Sequence, residues 1–560
     1  MSETLISLLV GRAERSADAP FLQFMENGEV VQRLCYSQAL ALACRWADVF
    51  RAMGLRKREP VFLSLPNTSD YPAAFFGTLL ASGVPASAFS LRGRQPNRVQ
   101  IENLAWRMKR LNARFLVLPP ELEHLDHSDG ALRSVADLQI VTRHDLRGAQ
   151  NLPLSCGDED DLALFQFTSG TSGDAKAVQL THKALVAQAN NINQALGLLD
   201  PQRDSGVSWL PLYHDMGLIG FLLTPMFIGG RVTLLRTEEF MLNPRMWTKA
   251  ISCTQATITG GPPSSYAISA RAARAPELEE LSLQSLRIAL VGAEVISRDA
   301  MEQFAARFAS AGFKSSSFVP CYGLAENGLA VTVSPVGEGV RFDVIDRDRL
   351  HKTCVAQAPL DTENARVVAS VGAPIPQTEV RIVANDGQSL EERHVGEIMV
   401  RSPSVMQGYF NDAEASSQSL QGGWLRTGDL GYLAGGRLFV TGRRKELLIV
   451  GGINYNPEDL EECVQNVQKP RMRTAAISVF DSQQSTESIV ILVETVQRDH
   501  AEREQLRQKM REELRRVGYP VQRIVFVPVR SLPLTSSGKL KRAEGRERYL
   551  AGEFDGVAPK

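Results

Sequence analysis

The chain has 560 residues, of which 44% are hydrophobic and 22% charged, so it is long enough for more than one domain at about 100–200 residues each. Its 62 lysines and arginines nearly balance 63 aspartates and glutamates, which argues against a nucleic-acid partner. Seven cysteines are scattered without a Cys-x-x-Cys pair, a pattern typical of reduced thiols and not of structural zinc.

Neither an export signal nor a membrane span is predicted. The N-terminal apolar run, residues 5–10, is too short for a signal-peptide core, and charged Arg12, Glu14 and Arg15 follow at once. The most apolar later stretch, residues 216–235, is interrupted by glycines, a proline and an arginine, which favours buried core over a membrane helix. We therefore expect a cytoplasmic protein that begins with an amphipathic helix.

Helical and strand patterns alternate up to about residue 300. A helical periodicity covers residues 37–53, and short apolar runs follow at residues 61–65, 115–118, 232–235 and 288–291. This alternation predicts a layered α/β structure with buried strands. After about residue 370, strand patterns come close together with glycine-rich turns between them, at residues 380–383, 396–401 and 437–440. These predict a smaller β subdomain.

A second unit is predicted from about residue 443. Asn456 and Pro457 make a good helix start, with an N-cap residue followed by proline at the first helical position. A charged helix over residues 500–516 is surrounded by strand patterns, at residues 474–480, 488–496 and 523–527. The sequence thus predicts a large domain, residues 1–442, and a compact α+β domain, residues 443–560.

A loop rich in hydroxyls and glycine lies at residues 167–182, which read FTSGTSGDAKAVQLTH. Hydroxyls, inward-turning backbone N–H groups and one lysine suit a phosphate. The predicted nucleotide-binding residues are Thr168, Ser169, Gly170, Thr171, Ser172, Gly173 and Lys176. Apolar runs on both sides predict a hairpin, unlike the Walker loop, which leads into a helix. The alternative is a flexible surface turn.

Six further blocks follow this loop. They read SWLPLYHDMGLIG from Ser208, LVGAEVI from Leu290, PCYGLAENGLAVT from Pro320, WLRTGDLGYL from Trp424, TGRRKELLIVGGINYNPEDLE from Thr441 and LPLTSSGKLKR from Leu532. In this order the blocks resemble the adenylate-forming superfamily of acyl-CoA synthetases, luciferases and peptide-synthetase adenylation domains. The resemblance implies a large layered α/β adenylation domain with a small β subdomain, and a small mobile α+β C-terminal domain. It also implies activation of a carboxylate by ATP.

The resemblance implies roles for individual residues. Lys539 would reach the α-phosphate and the carboxylate, and His214 would contact the substrate carboxylate. Glu326 would bind Mg²⁺, which prefers carboxylate and phosphate oxygens. Lys445 would lie at the hinge between the domains. The implied nucleotide-binding residues are Gly292, Ala293, Glu294, Tyr322, Gly323, Asp429 and Arg443.

Among these, Tyr322 would stack on adenine and Asp429 would accept hydrogen bonds from both ribose hydroxyls. Taken singly, each residue also has a plain structural explanation. Tyr322 and His214 would suit a packed core, Asp429 would suit a turn, and Lys539 or Glu326 would suit a solvated surface.

The choice of branch depends on three features. The LPLYHDMGLIG and YGLAEN blocks resemble fatty acyl-AMP ligases. Residues 341–371 form a polar segment longer than the connection of CoA ligases, and they resemble an insertion that restrains the small domain and disfavours CoA. We expect this segment to be irregular. Residues 451–455, GGINY, are instead closer to acyl-CoA synthetases, where the glycines let pantetheine pass.

The sequence therefore predicts a fatty acyl-AMP ligase. It would use ATP and Mg²⁺ to activate a medium or long fatty acid and pass the acyl group to the phosphopantetheine arm of an acyl carrier protein. The alternative is a fatty acyl-CoA synthetase. A non-catalytic binding protein of the same fold is a weaker alternative, because Lys539, Glu326 and Asp429 are all present.

Overall fold

The computed structural model describes residues 3–91, 96, 98–125, 130–146, 156–168, 175–360, 364–450, 453–468, 472–481, 486–497, 499–535 and 538–554. The α-helices, in chain order, are α1 (Leu5–Arg15), α2 (Tyr36–Ala52), α3 (Asp70–Leu80), α4 (Arg98–Arg110), α5 (His182–Ala195), α6 (Thr224–Ile228), α7 (Thr237–Leu242), α8 (Arg245–Thr254), α9 (Pro263–Ala272), α10 (Ala275–Glu280), α11 (Arg298–Phe308), α12 (Arg347–Thr353), α13 (Ala413–Ser419), α14 (Pro457–Val467), α15 (His500–Arg516) and α16 (Arg542–Leu550). A π-helix, Met216–Leu223, leads into α6.

The strands are β1 (Pro20–Glu26), β2 (Glu29–Cys35), β3 (Pro60–Leu63), β4 (Val84–Ser87), β5 (Phe115–Val117), β6 (Gln139–Val141), β7 (Leu162–Phe167), β8 (Ala177–Thr181), β9 (Ser205–Ser208), β10 (Arg231–Leu235), β11 (Ile258–Gly261), β12 (Ile288–Val291), β13 (Phe318–Gly323), β14 (Ala330–Val333), β15 (Phe342–Asp346), β16 (Ala365–Ala369), β17 (Ala373–Pro374), β18 (Glu379–Val383), β19 (Gly396–Arg401), β20 (Gly408–Tyr409), β21 (Leu420–Gln421), β22 (Trp424–Ala434), β23 (Arg437–Arg443), β24 (Leu448–Val450), β25 (Ile453–Tyr455), β26 (Thr474–Asp481), β27 (Thr486–Thr495) and β28 (Val521–Pro528).

Two sheets with parallel centres make up the larger part of the fold. One has the order β17-β14-β13-β12-β11-β9-β10-β1-β2, with its strands from β13 to β1 parallel. The other has the order β20-β8-β7-β4-β3-β5-β6, with its strands from β7 to β6 parallel. Parallel strands direct their carboxyl ends to one edge, where ligands bind in such sheets. The predicted layered α/β fold is confirmed.

Strand β3 shows how the sheets are buried on both faces. Val61 and Leu63 belong to the main hydrophobic core, whereas Phe62 belongs to a second core on the opposite face of the sheet. All three side chains have no exposed surface. Successive strand residues point to opposite faces, so a continuous apolar run is the pattern of a strand covered on both sides.

The predicted β subdomain is present. Strands β18, β19, β22 and β21 form a sheet in this order, and β23 pairs with β22. Gly435 and Gly436 adopt positive φ angles of 56° and 71° in the turn between β22 and β23, a conformation that favours glycine. Asp429 of β22 lies directly opposite Arg443 of β23, which brings two predicted site residues together.

The C-terminal part forms its own small sheet, in the order β26-β27-β28. Strands β27 and β28 are parallel and joined through α15. Two hydrophobic clusters here consist of residues from Leu448 onward. As predicted, α14 begins at Pro457 with Asn456 at the N-cap, and the charged helix over residues 500–516 is α15.

The segment over residues 341–371 contains two strands and a helix, so the expectation of an irregular segment was wrong for these stretches. Strands β15 and β16 pair antiparallel and α12 follows β15; residues 361–363 lie outside the described part. Ile345 and Val368 are buried against Tyr432 and Phe439 of the neighbouring β22 and β23. Short alternating patterns, FDVID and ARVVA, supply the buried faces, and the polar residues around them obscure the pattern.

The apolar stretch over residues 216–235 is buried core, as predicted. Leu218, Ile219, Leu222 and Leu223 of the π-helix have no exposed surface. Within the described residues, no helix is long and apolar enough to span a membrane.

Gly217 allows the π-helix to approach the segment that carries His214. A Cβ atom here would collide with the carbonyl oxygens of Pro211 and Leu210, which are backbone atoms and cannot move aside. We predict that Gly217→Ala lowers the free energy of unfolding by about 1–3 kcal/mol, measured as a lower urea midpoint.

The control is Gly220→Ala on the same helix, where the new Cβ would meet only a side-chain methyl of Leu329, at 3.3 Å. This variant should lose less than about 1 kcal/mol. Equal losses in the two variants would contradict the explanation by backbone collision.

Candidate active site

One cavity of about 1610 Å³ lies where the carboxyl ends of the parallel strands meet the β subdomain and the C-terminal part. It brings together every predicted site residue that the structure describes. These are Thr168, Lys176, His214, Gly292, Ala293, Glu294, Tyr322, Gly323, Glu326, Asp429, Arg443, Lys445 and Lys539. The other predicted loop residues, Ser169, Gly170, Thr171, Ser172 and Gly173, lie outside the described residues.

The predicted phosphate loop joins two antiparallel strands, as expected. Strands β7 and β8 pair along their length, ending with Phe167 opposite Ala177. Beyond this pair, the Thr168 backbone N–H donates to the Lys176 carbonyl at 3.0 Å, and the Lys176 N–H donates to the Thr168 hydroxyl at 3.1 Å. These bonds hold the two ends of the loop together at the cavity wall.

Asp429 is held from two sides. The Tyr322 hydroxyl donates to one of its carboxylate oxygens at 2.6 Å, and Arg443 lies 3.1 Å from the other. Asp429 raises the pKa of Arg443, and burial raises the pKa of Tyr322 well above its usual value. Both partners therefore stay protonated, and the carboxylate has a fixed orientation in the cavity.

Close backbone packing forms the wall beside Tyr322. A Cβ on Gly323 would collide with the Leu329 carbonyl oxygen, and a Cβ on Gly292 would lie 2.8 Å from the Cys321 carbonyl oxygen. Glycine is required at both positions because neither carbonyl can shift without moving a strand. Next to Gly292, Glu294 accepts hydrogen bonds from the N–H and hydroxyl of Ser264, at 3.2 and 3.1 Å.

His214 and Lys539 meet around Asp215. The Nδ1 atom of His214 lies 2.6 Å from the Asp215 carboxylate. Burial by itself raises the pKa of Asp215, but the charges of His214 and Lys539 hold that pKa below its usual value. Burial, followed by the charge of Arg443, lowers the pKa of Lys539, while Asp215 opposes this effect. Lys539 thus lines the cavity among charged groups of both signs.

A turn positions Lys539 at the cavity. The Thr535 N–H donates to the Lys539 carbonyl at 2.7 Å, and the Lys539 N–H donates to the Thr535 hydroxyl at 3.0 Å. Gly538 has a φ angle of 87°, which favours glycine.

Glu326 is half-buried in a 3₁₀ turn, Ala325–Asn327, and desolvation raises the pKa of its carboxyl group. The Tyr409 hydroxyl donates to its Oε1 atom at 2.9 Å. Sequence reasoning missed Tyr409, because it lies far along the chain from both Glu326 and the phosphate loop. Its place next to the loop follows from the pairing of β20 with β8.

Apolar side chains line one part of the cavity, which we call the apolar arm. Leu290, Ile258 and Phe221 line it. Helix α5 and the residues after it also line the arm, with Ile192, Leu196 and Leu199. The sequence did not predict that these three residues line the cavity, because an apolar helical pattern is the same for a helix that faces a core and for one that faces a ligand.

The segment over residues 341–371 contacts the C-terminal part through a buried charge. Asp459 of α14 lies 2.9 Å from Arg366 of β16 and 3.6 Å from His351 of α12. The ring of His351 also packs against Tyr455, at 5.3 Å between centroids. Burial raises the pKa of Asp459, but Arg366, His351 and Arg347 together outweigh this effect and hold the pKa below its usual value.

Three carboxylates share one guanidinium after the predicted hinge at Lys445. Arg542 pairs with Glu446, with Glu458 at 3.0 Å and with Glu461 at 2.7 Å. Burial raises the pKa of Glu458 to about 7, against a usual value of 4.5. The folded state therefore binds a proton that the unfolded state releases, so the stability due to this proton is complete below pH 4.5 and is lost as the pH rises to about 7.

We predict that Glu458→Gln stabilises the protein at pH 8 by about 1–3 kcal/mol, because the amide cannot ionise. At pH 4 the difference should vanish. Thermal unfolding at both pH values measures this, with Glu462→Gln at an exposed position of the same helix as the control. A stabilisation that is equal at both pH values would contradict the role of Glu458 ionisation.

Two sheets with parallel centres, a β subdomain and a C-terminal part surround this cavity. Together they define the architecture of an adenylate-forming enzyme. The chain belongs to the AMP-binding enzyme family, whose profile matches residues 10–410. The predicted family is therefore confirmed.

Individual relatives extend the match over nearly the whole chain. A putative acyl-CoA synthetase of Caulobacter vibrioides is 35% identical, covering 94% of this chain and 92% of the relative. The medium-chain-fatty-acid acyl-carrier-protein ligase JamA of Moorena producens is 30% identical, covering 99% and 96%. A solved structure from a study of fatty acyl-adenylate ligases of E. coli and L. pneumophila has a TM-score of 0.89 at 31% identity, covering 99% and 98%.

Proposed function

We propose that this protein is a fatty acyl-AMP ligase. It joins a fatty acid to the AMP moiety of ATP, releases pyrophosphate, and transfers the acyl group to the phosphopantetheine thiol of an acyl carrier protein. The observation that carries this proposal is the cavity in which Lys539 and the His214–Asp215 pair lie between a nucleotide-binding wall and an apolar arm.

The wall suits the nucleoside and phosphates of ATP. The ring of Tyr322 provides a face for adenine, and Asp429, held by Tyr322 and Arg443, presents its carboxylate to the ribose hydroxyls. Lys176 and the loop that it ends would hold the β and γ phosphates.

Glu326 fits a magnesium ion that is bound mainly by phosphate oxygens. Its half-buried side chain lines the cavity, desolvation raises the pKa of its carboxyl group, and a cation would stabilise the charged form. Among the described residues, no group of three or more acidic, histidine or cysteine side chains could hold a metal ion. Mg²⁺ commonly uses one or two carboxylates together with substrate phosphates, and when bound it would neutralise phosphate charge.

In the first step, a carboxylate oxygen of the fatty acid bonds to the α-phosphorus. The bond from that phosphorus to the oxygen bridging to the β-phosphate breaks, and pyrophosphate leaves with the electron pair. Negative charge increases on the α-phosphate, next to Lys539 and Arg443. His214, oriented by Asp215, positions the carboxylate for attack in line with the leaving group.

In the second step, a thiolate attacks the acyl carbonyl carbon and AMP leaves. We propose that residues 443–560 move about Lys445 between the two steps, removing Lys539 from the site once adenylation is complete. Residues 1–442 would hold the nucleotide and the acyl chain throughout.

We predict that Lys539→Ala lowers the rate of fatty-acid-dependent ATP–pyrophosphate exchange by about 10²–10³-fold, because the ammonium stabilises charge that develops in the transition state. ATP binding, measured by calorimetry, should change little. In the wild-type enzyme, the ATP–pyrophosphate exchange should also require Mg²⁺.

The matched control is Lys541→Ala, two residues away, where the lysine forms a surface ion pair with Glu544 at 3.0 Å. This variant should retain wild-type exchange. Near-normal exchange by Lys539→Ala would refute the catalytic role of Lys539. Absence of exchange in the wild type with every acid from short to long would refute the enzyme activity itself.

The contacts of residues 341–371 favour a carrier protein as acceptor. Helix α12 packs on Tyr455, which is 8% exposed. Tyr455 is the last residue of the GGINY segment, the segment that resembles acyl-CoA synthetases. The buried pair of Asp459 with Arg366 attaches the same segment to α14. Separating buried charges is costly, so these contacts would restrain the C-terminal domain.

A fatty acyl-CoA synthetase is the second candidate. The GGINY segment and the name of the Caulobacter vibrioides relative favour it. Purified enzyme, offered a fatty acid and ATP with either CoA or a holo acyl carrier protein, distinguishes the two. We expect acyl carrier protein to be loaded and little acyl-CoA to form; abundant acyl-CoA would establish the second candidate.

We predict that His351→Ala increases acyl-CoA formation severalfold without changing ATP–pyrophosphate exchange, because it removes one contact between α12 and the C-terminal part. Lys352→Ala, which breaks the exposed pair of Lys352 with Asp348 but keeps the ring of His351 on Tyr455, is the control and should resemble the wild type. If His351→Ala left CoA use unchanged, the contact would not determine the acceptor.

A further inference from the structure

Tyr409 joins two parts of the site that come from distant regions of the chain. Its hydroxyl donates to Glu326 at 2.9 Å, and the Lys176 ammonium lies 4.5 Å from the centre of its ring. The side chain is 8% exposed and lines the cavity. One residue therefore contacts both the carboxylate proposed for the metal and the lysine proposed for the pyrophosphate.

The backbone around Tyr409 is fixed to the same two parts. The Met406 N–H donates to the Glu326 carbonyl at 2.8 Å. The N–H groups of Gln407 and Phe410 donate to the carbonyls of Gln179 and Ala177 on β8, at 3.0 and 2.9 Å. Segment 406–410 thus bridges the turn of Glu326 and the strand that follows the phosphate loop. Tyr409 has little freedom to move relative to either.

We propose that Tyr409 is a positioning residue that holds the Glu326 carboxylate and the Lys176 ammonium at the separation that a magnesium-bound pyrophosphate group requires. This inference rests on the proposed function, in which Glu326 binds the metal. Tyr409 itself touches neither the metal nor the reacting atoms. It acts by fixing the two groups that do.

The hydroxyl and the ring of Tyr409 have separate roles. The hydroxyl restricts the rotation of the Glu326 carboxylate and keeps one oxygen occupied, which leaves the other oxygen for the cation. The ring face attracts the ammonium and keeps the long lysine chain extended along the cavity wall when phosphate is absent. Preorganisation of both groups lowers the entropic cost of binding the metal–nucleotide complex.

Two variants separate these tasks. Tyr409→Phe keeps the ring beside Lys176 and removes only the hydroxyl, whereas Tyr409→Leu removes both interactions. The matched control is Tyr432→Phe, since the Tyr432 hydroxyl also donates to a carboxylate, that of Asp343 at 2.8 Å, and is equally part of a buried contact. Tyr432 lies outside the residues that line the cavity.

The measurement is calorimetric binding of ATP to the full chain without fatty acid, once with Mg²⁺ and once with a chelator. The ratio of the two affinities gives the contribution of the metal. We expect Tyr409→Phe to reduce this ratio by about tenfold while leaving metal-free ATP binding unchanged. Tyr409→Leu should also weaken metal-free binding, because Lys176 loses its support. Tyr432→Phe should leave both affinities unchanged.

A double variant tests whether Tyr409 acts through Glu326. If it does, Glu326→Gln with Tyr409→Phe should lose no more of the ratio than Glu326→Gln alone. A wild-type ratio in Tyr409→Phe, or losses that add in the double variant, would overturn the inference while leaving the proposed function intact. An unchanged ratio in Glu326→Gln would overturn both the metal role of Glu326 and the inference.

Discussion

The pairing of Asp429 with Tyr322 and Arg443 joins the separate layers of this protein into one site. Tyr322 lies next to the last residue of β13 in the nine-stranded sheet, whereas Asp429 and Arg443 lie opposite each other on β22 and β23 of the β subdomain. A buried carboxylate is stable only with partners that satisfy its oxygens, so the β subdomain must lie against the carboxyl end of β13. The cavity for the nucleotide is the space that this constraint leaves open.

Charged side chains of opposite sign also surround Lys539 in the cavity. Lys539 is partly desolvated, and its positive charge is set against Asp215, Glu294 and Asp429 while Arg443 repels it. Lys539 and Arg443 are the positive charges in this group that would meet the α-phosphate and the carboxylate in the proposed reaction. Electrostatic preorganisation of this kind needs no rearrangement at the moment of reaction.

Two ionic clusters differ in what they join. Arg542 gathers Glu446, Glu458 and Glu461 within the C-terminal part, whereas Asp459 pairs with Arg366 of the segment over residues 341–371. Of these two, the proposed rotation about Lys445 would have to break the pair of Asp459 with Arg366. The raised pKa of Glu458 makes the Arg542 cluster less stable as the pH rises.

Local order along the chain was largely predictable from the sequence. Strand β12 over residues 288–291, strand β19 over residues 396–401 and the proline-initiated helix α14 depend on apolar periodicity and capping, which neighbouring residues determine. The motif residues Lys539, Glu326 and Asp429 were identifiable for the same reason, since each lies in a short block. The paired strands β15 and β16 were missed because the partners that bury them, Tyr432 and Phe439, are distant in sequence.

Contacts between segments that are distant in sequence became evident only from the tertiary structure. The hydrogen bond of Tyr409 to Glu326, the lining of the apolar arm by α5 and the packing of His351 on Tyr455 each join segments that no local pattern connects. A sequence states which side chains can carry charge, donate or pack, because these are properties of single residues. Which of them share a cavity depends on strand order and sheet packing, and these minimise the free energy of the whole chain and not of any one segment.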